Sequence, residues 1–123
     1  MLGVSKRNLS LSIFYLENLG DTKGSYARID KDTRRETDRQ IDVDIPRCHQ
    51  YEPLVACPEG GYRIKRIIKA WLVSNPHLTY WQGLDSLTTP FLCLNYARED
   101  LAWATMTKFI DKYMQGNIPK LKL

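Results

Sequence analysis

Hydrophobic residues recur at helical rather than strand spacing over most of this chain. The clearest case lies in residues 58–74, where Ile64, Ile67, Ile68, Trp71 and Leu72 fall at i, i+3, i+4, i+7 and i+8. That spacing makes the apolar stripe of an amphipathic helix. Pro58 stands where helices favour their first residue, and Ser74, Asn75 and Pro76 end the pattern. Gly60 and Gly61 weaken its first turn. Residues 80–94 are apolar on several sides, through Trp81, Leu84, Leu87, Phe91, Leu92 and Leu94. They predict a buried helix, kinked or divided at Pro90. Residues 99–113 repeat the pattern at Ala102, Met106, Phe109, Ile110 and Tyr113, with Gly116 to close it.

The flanking text is less regular. Residues 9–19 fit a helix between Asn8 and Gly20, and residues 25–29 add one turn. The run DKDTRRETDR, residues 30–39, holds no hydrophobe and predicts an exposed linker. In the IDVDIPR that follows, Ile41, Val43 and Ile45 alternate with acids, the pattern of a short strand, and Pro46 disfavours helical geometry at Ile45. The expected class is all-α, apart from that one stretch.

Composition narrows the function classes. The 123 residues are 43% hydrophobic and include three Trp, seven Tyr and three Phe, too much apolar surface for a disordered chain. No apolar run approaches the length of a membrane span, and the N-terminus lacks the pattern of a signal peptide. The net charge of +4 is mild, and its excess sits at Arg63, Lys65, Arg66 and Lys69. Four cations on one helix are expected to be its solvated face, without the basic–aromatic interleaving that nucleic-acid binding requires. The odd count of cysteines, Cys48, Cys57 and Cys93, argues against a disulfide framework and fits a reducing, cytoplasmic setting. These and His49 and His77 show no metal-ligand spacing, so no metal site is expected, and Cys48 and His49 read as loop or packing residues.

Two short motifs hold polar residues that need explaining. In Ile41-Asp-Val-Asp44-Ile-Pro-Arg47 an arginine follows an aspartate by three residues at a proline-fixed turn. It reads either as a surface ion pair or as a guanidinium held out for phosphate oxygens. In Tyr80-Trp81-Gln82-Gly83 a glutamine stands between large aromatics. It reads either as a helix cap or as a carboxamide, with its donor and acceptor, that orients a water molecule.

The two motifs, as IxxDxxR and about 35 residues later YxQG, resemble the paired signatures of the TBC domain, an all-helical family of activators of Rab-type small GTPases. The stretches TDRQIDVDIPRCHQY and KAWLVSNPHLTYWQGLDSLTTPFLCLN resemble one branch of it most closely. The resemblance implies that Arg47 and Gln82 are catalytic fingers inserted into a Rab partner. Ile41, Asp44, Tyr80, Gly83 and Asp85 would position them, with Asp44 holding Arg47. It implies no cofactor of the chain's own, since Mg²⁺ and GTP belong to the partner. It also implies recruitment to membranes through that partner, for vesicle trafficking. Cys48-His49-Gln50 departs from the Thr-x-Pro that commonly follows the arginine.

The resemblance covers residues 29–113. Residues 1–28 are expected to form an N-terminal helical segment and residues 114–123 a short divergent tail. On that reading the chain is the N-terminal half of the domain, as a fragment, a truncated gene product or a splice form. Missing its second half, it is expected to expose apolar surface and to self-associate. It would then be a non-catalytic interaction module unless the fingers suffice.

Overall fold

A computed structural model describes residues 20–48 and 50–114. Six α-helices and one 3-10 turn make up the regular structure of these residues, with no strand among them. In chain order they are α1 (Thr22–Arg28), α2 (Asp38–Asp44), the 3-10 turn Ile45–Arg47, α3 (Pro53–Ala56), α4 (Pro58–Ser74), α5 (Leu84–Leu94) and α6 (Glu99–Tyr113). The all-α expectation therefore holds. The helix expected over residues 9–19 and the Gly116 stop lie outside the described residues.

Helix α4 is central. Its stripe of Ile64, Ile67, Ile68 and Trp71 is fully buried. It packs against Leu84 and Leu92 of α5 and against Ala102, Met106 and Ile110 of α6 in one apolar core. Its N-cap is Cys57, whose sulfur accepts from the Gly60 N–H at 3.4 Å. The two glycines that weaken the first turn are there for space. A Cβ on Gly60 would stand 1.9 Å from the Leu54 carbonyl oxygen, where α3 crosses the start of α4. Gly60→Ala is therefore expected to destabilise the fold by about 3 kcal/mol, the upper end for overpacking, because backbone and not a side chain must yield. Thermal unfolding checks this; an unchanged melting temperature would show that α3 shifts freely.

Three sequence expectations change. The stretch at Ile41 is a helix, not a strand. Ile41 and Ile45 share one helical face at i, i+4; Ile41 is fully buried and Ile45 packs against the core, while Val43 points outward at 43% exposure. The alternation was a coincidence of two periodicities over five residues. The polar run before it is anchored rather than loose. Lys31 and Asp38 are buried within it. Lys69 reaches from α4 to the Asp38 carboxylate and to the Thr33 carbonyl, both at 2.8 Å. Lys69 is thus no part of a solvated face. Finally, α5 begins only at Leu84 and runs through Pro90 as one helix, so of the two expectations at Pro90 the division into two helices does not occur. Thr88 and Thr89 donate their hydroxyls to the carbonyls of Leu84 and Asp85, one turn back.

Candidate functional site

Arg47 ends the 3-10 turn, and Gln82 lies in the turn before α5. Both side chains are exposed. Neither makes a side-chain hydrogen bond or ion pair among the described residues. The residues around them are the reverse. Ile41, Asp44, Tyr80 and Asp85 are all buried.

Two ties hold the motifs together. The Tyr80 hydroxyl donates to Asp44 Oδ2 at 2.6 Å, and Gln40 Nε2 donates to Asp44 Oδ1 at 2.8 Å. On the other side of Arg47, the Cys48 sulfur lies 3.4 Å from Thr89 Oγ1 and 3.7 Å from Ser86 Oγ, both on α5. The arginine turn is therefore fastened to Tyr80 three residues before Arg47 and to Ser86 and Thr89 of α5 one residue after it. Burial, and then the bond to Asp44, push the Tyr80 phenol well above its ordinary pKa, so it is the donor at physiological pH. Burial likewise pushes the Cys48 thiol up, leaving it a neutral packing group.

This geometry differs from the sequence reading in one respect. Asp44 accepts from Gln40 and Tyr80, and among the described residues it makes no bond to the Arg47 guanidinium. It bonds the end of α2 to Tyr80 instead. Gln40 was missed as a partner. Its signal was its place four residues before Asp44, legible only once residues 38–44 are known to be helical.

The Gln82 turn is set by Gly83 and Asp85. Gly83 has φ +113°, a conformation open to glycine and strained for other residues. Its N–H donates to Asp85 Oδ1 at 3.1 Å. Trp81 packs edge-on against buried Trp71 with ring centroids 5.7 Å apart. The neighbours of Gln82 are thus fixed while its carboxamide faces outward.

Beside the arginine turn lies a groove of about 450 Å³ lined by Ile45, Pro46, Val55, Tyr62 and Lys65, among others. Exposed Val43, Tyr51, Leu54 and Tyr62 add apolar surface to this part of the molecule. Among the described residues no cluster of His, Cys, Asp and Glu is placed to hold a metal ion. No helix of these residues is long and apolar enough to cross a membrane.

Tyr80→Phe tests the tie between the motifs. It removes the donor and leaves a buried carboxylate oxygen without a partner, at an expected cost of about 2 kcal/mol in thermal unfolding. Unchanged stability would mean that Asp44 finds another donor.

The family profile described as the Rab-GTPase-TBC domain matches residues 6–122. The TBC domain-containing protein kinase-like protein of Gallus gallus is 58% identical over 95 residues, covering 77% of this chain and 11% of that protein. The protein of the same name from Dictyostelium discoideum is 40% identical over 98 residues, 79% of this chain and 10% of its own length. The GTPase-activating protein GYP1 of Saccharomyces cerevisiae is 36% identical over 52 residues, 42% of this chain and 8% of its length. The chain thus spans about a tenth of the length of these kinase-like relatives. No solved structure matches it.

Proposed function

Because this chain belongs to the Rab-GTPase-TBC domain family, we propose that it accelerates GTP hydrolysis by a Rab-type small GTPase, inserting Arg47 and Gln82 into the partner's nucleotide site. The carrying observation is the contrast between two exposed, unbonded polar side chains and the buried network that fixes their backbones. A fold-maintaining role would give these side chains partners within the chain, and neither has one among the described residues.

The chemistry follows from the groups. The planar guanidinium of Arg47 would neutralise charge gathering on the γ-phosphoryl oxygens during transfer. The Gln82 carboxamide, with both a donor and an acceptor, would hold the attacking water. Nucleotide and Mg²⁺ would come with the GTPase. Ile41, Asp44 and Tyr80 would position Arg47 through the packed end of α2, and Gly83 and Asp85 would shape the Gln82 turn. The exposed apolar side chains near the arginine turn suit a protein partner better than a small molecule. Such a partner would bring the chain to the membrane that carries it, in vesicle trafficking on the cytoplasmic side.

Single-turnover hydrolysis of GTP by a panel of Rab-type GTPases, with and without the chain, tests the reading. Stimulation of at least one member is expected. Binding to a GTPase without stimulation would instead make the chain a non-catalytic interaction module.

A further inference from the structure

Cys48 directly follows Arg47, and each of its polar groups is engaged. Its N–H donates to the Ile45 carbonyl at 2.9 Å, and its carbonyl accepts from Gln50 Nε2 at 3.3 Å. Its sulfur lies against Thr89 and Ser86 of α5. Cys48 and Thr89 are both buried. The exposed arginine is thus followed at once by a residue held from three sides.

The direction of these bonds follows from the protons available. Thr89 has one hydroxyl proton, which goes to the Asp85 carbonyl at 2.9 Å. At the 3.4 Å contact with Cys48, Thr89 is therefore the acceptor and the S–H the donor. With that proton used, the sulfur accepts from the Ser86 hydroxyl at 3.7 Å. Burial, and then the negative charge of Asp85, keep the proton on the thiol, so this donor is present at physiological pH.

The bonds continue past α5. Asp85 takes the Thr89 proton on its carbonyl and the Gly83 N–H on its carboxylate, at 3.1 Å. Gly83 follows Gln82, and its φ of +113° shapes that turn. A hydrogen-bonded chain thus runs through Cys48, Thr89, Asp85 and Gly83, from the neighbour of Arg47 to the neighbour of Gln82. The bond from Tyr80 to Asp44 joins the backbone ahead of the two exposed side chains. The Cys48 chain joins the backbone behind them.

We propose that Cys48 and Thr89 are positioning residues, which set the place of the Arg47 turn relative to the Gln82 turn. The kinetic consequence rests on the GTPase-activating reading, while the link between the turns stands without it. Two groups that act on one phosphoryl transfer must be held in register, since a shift of about 1 Å costs up to about 10²-fold in rate.

Cys48→Ala removes the S–H donor, Thr89→Val removes its acceptor at nearly the same shape, and Cys48→Ser restores a donor. Amide NMR spectra of the chain read the link directly. With Cys48→Ala the Gln82 and Gly83 amide resonances are expected to move, and with Cys48→Ser to return toward the wild type. With Thr89→Val the Arg47 amide should move as well. In single-turnover hydrolysis by a responding Rab-type GTPase, Cys48→Ala and Thr89→Val are expected to lower the saturated rate about tenfold. The half-saturating concentration should stay unchanged, and Cys48→Ser should stay near the wild type. If Cys48→Ala does not fold, Thr89→Val with Thr89→Ser as its rescue carries the test. Gln82 and Gly83 resonances that ignore both substitutions would overturn the link. Resonances that move while the saturated rate stays at the wild-type value would overturn the positioning role. If the wild-type chain stimulates no GTPase, the activating reading falls, and the resonances alone decide whether the two turns are linked.

Discussion

Replacing Arg47 by alanine is expected to lower stimulated GTP hydrolysis by about 10³-fold or more, the range an arginine finger contributes. The melting temperature should stay where it is. The side chain is exposed and unbonded among the described residues, and substitutions at such positions leave stability almost unchanged. Arg47→Lys should fail nearly as badly, because an ammonium is a point charge without the planar fork that spans two phosphate oxygens. Gln82→Ala should also remove most stimulation. A partner GTPase whose own water-positioning glutamine is replaced by leucine should still respond to the wild-type chain, since on the proposed mechanism Gln82 would bring the carboxamide. Single-turnover hydrolysis with each variant decides these points. An Arg47→Ala chain that stimulates like the wild type would remove that residue from the mechanism.

The largest stability effect is expected at the buried pair Asp38–Lys69. Both side chains are 4% exposed and meet at 2.8 Å. The second oxygen, Asp38 Oδ1, is buried with no hydrogen-bond partner. Removing one member, in Asp38→Ala or Lys69→Met, leaves the other charge buried alone and should cost about 3–5 kcal/mol. Removing both, in Asp38→Leu with Lys69→Met, should recover most of that loss or exceed the wild type, because the pair's own desolvation is incompletely offset. Denaturant unfolding of the two single variants and the double one measures the coupling. A double variant as unstable as the sum of the singles would show no coupling between the two groups and overturn this account of the pair.

That pair also marks where the sequence stops being legible. The stripe of Ile64, Ile67, Ile68 and Trp71 announced α4 because a long periodic segment has one good reading. Residues 99–113 were equally plain, and α6 has those bounds. The Asp38–Lys69 contact spans 31 residues, and no local pattern reveals that two charges will be buried against each other. DKDTRRETDR therefore looked like solvent-facing text. Ile41, Val43 and Ile45 failed for a different reason, since five residues cannot separate a period of 2 from one of 3.6 when a single position, Val43, decides. The two motifs were visible as a resemblance. The bond from Tyr80 to Asp44 spans 36 residues, and no local pattern reveals it.

The separation between the buried scaffold and the exposed side chains of Arg47 and Gln82 has a consequence for inheritance. Selection for folding acts on Ile41, Asp44 and Tyr80 through packing and hydrogen bonds, whatever the chain does. It is blind to Arg47 and Gln82. A gene copy could lose either side chain by a single substitution and still encode a stable protein of the same shape. The fold and whatever these two side chains do can thus be gained and lost independently in this architecture.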